Sequence, residues 1–179
     1  MDKKIILASK SKVRKEILDK NNITSTVKPS NVDEDIIKTS LLSEKASPEI
    51  ISKNLAEVKA NKISIKYPDK LVLGADSVID LEGKLISKPE NRETALEILR
   101  ELNGKAHHLI SSVCISKNGA MIWNYTDASS LTMKELNLDQ IRSYLKKVDD
   151  KKLYAYGVYQ IESGGKDLFL KIDGEEDSI

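Results

Sequence analysis

The chain has 179 residues, with 29 basic and 28 acidic side chains and a formal net charge of +1. That length suits one domain, or one domain with a small subdomain, and the balanced charge gives no support for a general nucleic-acid or membrane-surface binder. The single cysteine, Cys114, excludes an internal disulfide and argues against a structural zinc site.

The predicted elements run as follows. A short apolar strand over about residues 4–9 leads through Ser9-Lys10-Ser11 into a helix over about 11–20. Thr24 to Lys28 reads as a second strand that Pro29 ends. Residues 30–46 read as a loop or a loose helical segment. Ser47-Pro48-Glu49 has the cap-then-proline form of a helix start, and Ile51, Leu55, Val58, Lys62 and Ile65 carry one face of that helix to about Lys66. Leu71 to Ala75 is a continuous apolar run, as in a strand covered on both faces, which stops at Asp76-Ser77 and resumes as Val78-Ile79. After the Glu82-Gly83 turn, Asn91 to Leu102 is helical and Asn103-Gly104 stops it. His108 to Ser116 alternates as a strand, with Cys114 as a core thiol. Lys117-Asn118-Gly119 makes a hairpin turn, and Ala120 to Met133 is the return strand. A helix follows from Asn137 or Leu138 to Lys147. Tyr156–Ile161 and Lys166–Ile172 read as two closing strands. The order of elements points to an α/β body with a long, mixed, curved sheet. The Ile5–Ala8 run is too short for a signal core, and no stretch approaches a membrane span, so a cytoplasmic protein is expected.

The opening strand–turn–helix is suited to an anion. Free N–H groups and the positive end of the helix dipole face the turn, Ser9 and Ser11 can donate hydrogen bonds, and Arg14 offers a planar fork. Asp76, after five apolar residues, is placed at a strand end, where it can hold a divalent cation or take a proton from water; the alternative is an Asx-turn to Ser77 or Val78. Lys88, twelve residues on and held extended by Pro89, could lie over a phosphate, or simply enter a helix. Glu34 sits in an acidic run that reads equally as a solvated loop. Lys59, near an apolar helix face, reads equally as a snorkelling side chain. His107 and His108 lack metal-ligand spacing, and Trp123 with the six tyrosines forms no base-stacking stripe.

Together these segments resemble the Maf family of nucleoside triphosphate pyrophosphatases. The carrying residues are Leu7-Ala8-Ser9-Lys10-Ser11-Lys12-Val13-Arg14, Val32-Asp33-Glu34, Leu55 to Ala60, Gly74-Ala75-Asp76-Ser77, Ser87-Lys88-Pro89, Leu102 to His107, and Tyr159-Gln160-Ile161-Glu162. The resemblance implies a curved mixed sheet with flanking helices, two lobes around a central cleft as in inosine-triphosphatase-like proteins. It implies hydrolysis of a nucleoside triphosphate to the monophosphate and pyrophosphate, with a divalent cation (Mg, Mn or Co). The aspartate matching Asp76 is the implied proton acceptor. Positions matching Ser9, Arg14, Glu34, Lys59 and Lys88 line the polyphosphate and metal site, with Asp76 and Glu34 as metal ligands, and Ser11 belongs to the same substrate loop. Base-selecting positions fall on Val13, Ser77 and Glu162. The resemblance also implies a nucleotide substrate and a homodimer, while the balanced charge and the lack of a span point to no nucleic acid and no membrane.

The departures bear on specificity. Lys12-Val13 stands where the family has Pro-Arg, and Asp76-Ser77 where it has Asp-Thr. A glutamate at 162 accepts from purine amino and ring N–H groups, which suggests a guanine-like or modified base. The chain stops at Glu175-Glu176-Asp177-Ser178-Ile179, so the expected unit is one Maf-like domain over 1–179 lacking the usual C-terminal helix. The competing reading is a non-catalytic nucleotide-binding regulator linked to cell division.

Overall fold

The computed structural model describes residues 4–161 and 164–178. Its strands are β1 (Ile5–Leu7), β2 (Ser25–Val27), β3 (Val72–Leu81), β4 (Lys84–Ile86), β5 (Ala106–Lys117), β6 (Ala120–Met133) and β7 (Phe169–Asp173). Its helices are α1 (Lys12–Lys20), α2 (Glu34–Ser43), α3 (Pro48–Lys66), α4 (Arg92–Leu102), α5 (Leu138–Lys147) and α6 (Asp150–Tyr156), with short 3₁₀ turns at Gly165–Leu168 and Glu176–Ser178. The strands form one mixed sheet in the order β2-β1-β3-β5-β6-β7, with β4 paired to β3. The fold class is α/β, as expected. No described helix is long and apolar enough to cross a membrane.

The chain divides into two compact units, Met1–Ser77 with Ile110–Asp127, and Val78–Leu109 with Ala128–Ile179. In the first, β1 runs parallel to both β2 and β3, and Ile6, Ala8, Ala56, Ala60, Ile63, Val72 and Cys114 make the core. Cys114 is the core thiol expected; burial pushes its pKa up. In the second, β4 runs antiparallel to β3 and β7 antiparallel to β6, and a larger core gathers Leu99, Leu102, Leu131, Met133, Ile141, Leu153 and Phe169 among others.

Each described α-helix starts on a Ser, Asp or Asn whose side chain accepts a first-turn N–H: Ser11, Asp33, Ser47, Asn91, Asn137 and Asp149. This local chemistry settles one open alternative and explains one difference from the expected elements. Of the two readings of residues 30–46, the helical one holds for Glu34–Ser43. Asp33 accepts from the N–H of Ile36 at 3.1 Å, and Glu34 and Asp35 lie in the first turn of α2, where acids complement the helix dipole. Tyr156–Ile161 is not a strand. Asp149 caps α6 across Lys151 and Lys152, the helix closes on Gly157 at φ 110°, and Val158 and Tyr159 enter the core from irregular chain.

A second difference concerns β3, which does not stop at Asp76 but continues to Leu81. A third concerns α3. Its inner face is Ile51, Ser52, Leu55, Ala56, Lys59, Ala60, Ile63 and Ser64, whereas Val58, Lys62 and Ile65 face outward. Polar side chains on that inner face each find a partner, and those partners organise the site.

Candidate active site

The first unit builds the site from β1, α1, α2, α3 and β3. Gly74 determines how closely β3 lies against α3. A Cβ at position 74 would stand 2.2 Å from the carbonyl oxygen of Ala56 and 2.8 Å from the backbone nitrogen of Ala60. Only a glycine opposite two alanines permits this approach. It brings the next turn of α3 against Asp76.

Asp76 lies inside a strand and is 6% exposed, a costly place for a carboxylate without a counter-charge. Lys59, also 6% exposed, supplies it: Nζ donates to Oδ1 of Asp76 at 2.7 Å. The same Nζ lies 2.8 Å from Oε1 of Glu34 at the start of α2, and Lys38, one turn on in α2, stands 3.9 Å from Oε2 of Glu34. The loop before α2 is tied to α3 by Lys62, whose Nζ donates to the carbonyl of Asn31 at 2.8 Å. Asp76 Oδ2 is buried and has no hydrogen-bond partner among the described residues. A buried carboxylate oxygen without a donor is uncommon in folded proteins and marks a place where a proton or cation can be taken up.

The opening turn supplies the second half. Ser11 caps α1 by accepting from the N–H of Arg14 at 3.3 Å. Arg14 itself substitutes for a missing strand. β1 pairs with β3 only as far as Leu7 and Leu73, and the carbonyl of Leu73 accepts the N–H of Ala8 at 2.8 Å. Two residues further, on the same edge, the carbonyl of Ala75 accepts Nη1 of Arg14 at 2.8 Å. Nη1 also donates to Ser9 Oγ at 3.2 Å, and Nη2 to Ser77 Oγ at 3.3 Å. Ser77 Oγ is in turn 3.0 Å from Ser111 Oγ on β5. Ser9 Oγ accepts from both Arg14 and the N–H of Ser11, which leaves its own proton to donate. Burial pushes the Arg14 guanidinium below its usual pKa, and the charges of Asp76 and then Glu34 pull it back up. Arginine nevertheless stays cationic in proteins.

Of the residues singled out in the sequence, the structure gathers Ser9, Ser11, Arg14, Glu34, Lys59, Asp76 and Ser77 into one linked set. Val13 lies half-buried in the first turn of α1. Lys88 is exposed in the irregular chain between β4 and α4, within the second unit. Glu162 lies outside the described residues. Sequence reading assigned no role to Ser52, Gly74 or Ser111. A signal existed for the first: Ser52 and Lys59 are seven residues apart, two turns along one helix face.

Among the described residues no group of three or more His, Cys, Asp or Glu side chains is placed to hold a metal. A site with one or two protein carboxylates still matches magnesium, which often relies on substrate phosphates for its other ligands.

A family model described as Maf-like protein matches residues 4–179. A nucleoside triphosphate pyrophosphatase of Pelagibacter ubique (strain HTCC1062) is 67% identical over 179 residues, covering 100% of this chain and 92% of that protein. A nucleoside triphosphate pyrophosphatase of Ruegeria pomeroyi (strain ATCC 700808 / DSM 15171 / DSS-3) is 38% identical over 98% of this chain and 88% of its own length. A 7-methyl-GTP pyrophosphatase of Brucella abortus biovar 1 (strain 9-941) is 34% identical over the same shares. By both the family model and these identities, the chain belongs to the Maf-like protein family.

Proposed function

We propose that this protein hydrolyses nucleoside triphosphates to the monophosphate and pyrophosphate, by attack of water at the α-phosphorus. The observation that carries the reading is Asp76: one carboxylate oxygen is held by Lys59 and the other is buried with no donor among the described residues. That oxygen can accept the proton of an attacking water. The relatives' names support the same chemistry, and they do not favour the non-catalytic regulator.

The surrounding residues suit a polyphosphate. Arg14 offers a fork already oriented by Ala75, Ser9 and Ser77, so little ordering remains to be paid on binding. The first turn of α1 and the Ser9 hydroxyl add donors. Lys59 holds Asp76 and Glu34 together. The buried Oδ2 of Asp76 and the carboxylate of Glu34 fit a divalent cation, which when bound would neutralise phosphate charge and polarise the leaving group. Lys88 and Glu162 enter through the family resemblance, Lys88 as a further phosphate cation and Glu162 as a base selector. Val13 and Ser77 share the selecting role.

The test is turnover of ATP, GTP, CTP, UTP, dTTP and 7-methyl-GTP with magnesium or manganese, with products separated. Monophosphate and pyrophosphate are expected, with activity lost in EDTA. Release of orthophosphate, or no turnover of any of them, defeats the proposal. We further propose a guanine-like or methylated guanine base, supported by Glu162 and by the name of the Brucella relative. A clear preference for dTTP or UTP would refute it.

A further inference from the structure

We propose that Ser52 is a positioning residue that sets the aim of Asp76. Ser52 is on the inner face of α3 and is 0% exposed. A serine there is a poor choice for packing alone, because a buried hydroxyl costs free energy unless it is bonded. The cheap local solution would be a bond to the helix's own carbonyl one turn back. Ser52 instead donates to the backbone carbonyl of Asp76 at 3.1 Å.

Helix α3 therefore grips the strand through three sets of residues. Ser52 holds the main chain of Asp76, Ala56 and Ala60 close on Gly74, and Lys59 holds the Asp76 carboxylate at 2.7 Å. Main chain and side chain of one residue are thus tied to one rigid helix, two turns apart. With its carbonyl held, the backbone of Asp76 has less freedom to turn, which restrains the Cα–Cβ direction. That direction keeps Oδ1 on Lys59 and turns Oδ2 into buried space with no donor among the described residues. Small displacements of a reacting group can cost large factors in rate.

The inference rests on the reading of Asp76 as the proton acceptor. Its test compares Ser52→Ala, Ser52→Thr and Ser64→Ala in the full chain. Ser64 is the control: it is also 0% exposed and on the same helix face, but its hydroxyl serves the N–H of Gly119 and the carbonyl of Asn61. Both alanine variants should lower the melting temperature by similar amounts. Only Ser52→Ala should lower kcat, by about tenfold, with KM within twofold, and Ser52→Thr should restore it. Equal kcat losses in the two alanine variants, or none, would overturn the proposal. Crystal structures of wild type and Ser52→Ala give a readout that does not need turnover. Displacement of the Asp76 carboxylate from Lys59 supports the proposal, and an unmoved carboxylate sinks it. If wild type turns over no nucleotide, the proposed function fails, and the two structures decide the role of Ser52.

Discussion

Nζ of Lys59 lies 2.7 Å from Oδ1 of Asp76, and both side chains are only 8% exposed. Such a pair is conditional: its charges are tolerable together and expensive apart. Lys59→Met should therefore destabilise the protein by about 3–5 kcal/mol, because it leaves buried carboxylate unpaired. Adding Asp76→Asn to that variant should recover much of the loss. Chemical denaturation of the two single variants and the double variant measures this coupling, and simple additivity would show that the pair is energetically idle.

Asp76→Asn alone should behave differently. Lys59 keeps Glu34 at 2.8 Å, and the asparagine oxygen can still accept from Nζ. Stability should fall by only about 1–2 kcal/mol, the scale of one weakened charged hydrogen bond. Turnover should fall by about a hundredfold or more, the usual contribution of a general base. Activity near wild type would remove Asp76 from that role.

Gly74→Ala separates packing from charge. The added methyl would overlap the backbone of α3, with the Ala56 carbonyl oxygen at 2.2 Å, so helix and strand must part. Overpacking of this kind costs about 1–3 kcal/mol. The parting should also draw Lys59 from Asp76, so activity should be lost even at temperatures where the variant is fully folded. A folded variant with normal kcat would show that the close approach does not serve the site.

Much of the scaffold was legible because its signals are local. Asn118 and Gly119 both adopt positive φ, 50° and 79°, in the two-residue hairpin turn that their identities demand. Helix starts at Ser47 and Asn91 follow from cap chemistry. The opening strand–turn–helix follows from small hydroxyl and basic residues next to an apolar run. Features that depend on tertiary partners leave no such local signal. Apolar spacing alone runs the inner face of α3 through Val58 and Ile65, which are 36% and 67% exposed, because Lys59 and Ser52 look like outward residues until β3 supplies their partners. Asp76 looked like a strand end for the same reason. A charged residue interrupts an apolar run on paper, but with Lys59 opposite it does not interrupt the strand. The acids at 33–35 suit a solvated loop or a helix start equally, and the Asp33 cap decides for the helix.

The second unit carries a pH dependence of its own. His107 is 1% exposed, its Nε2 is 2.9 Å from the hydroxyl of Tyr159, and its Nδ1 has no partner among the described residues. Burial, with a smaller contribution from His108, lowers its pKa from 6.5 to about 4. The folded protein thus favours the neutral ring, and the unfolded chain takes the proton first as pH falls. Stability from this group is complete above pH 6.5 and is lost progressively down to about pH 4, by on the order of 3 kcal/mol. His107→Leu should be less stable at neutral pH, since Tyr159 loses its partner, but its unfolding free energy should lack that slope. Denaturation at pH 7, 5.5 and 4.5 measures both; parallel curves for the two proteins would refute the assignment.

Arg14 tests whether geometry or charge matters in the opening turn. Its Nη1 continues the β3 ladder through the carbonyl of Ala75 and reaches Ser9, while Nη2 reaches Ser77. A lysine keeps the charge but is a single flexible point donor, and it cannot span three acceptors on two sides of the turn. Arg14→Lys should therefore lose orientation while retaining much of the attraction for phosphate. The expected result is a fall in kcat/KM of about 10–100-fold, the worth of one or two charge-assisted hydrogen bonds, with a smaller loss in Arg14→Lys than in Arg14→Ala. The difference between the two variants measures what a charged point donor on a flexible stem restores, and the remaining gap to wild type measures the fork. If Arg14→Lys keeps kcat/KM within twofold of wild type, the ladder contact at Ala75 serves the fold only, and the phosphates are oriented by other groups.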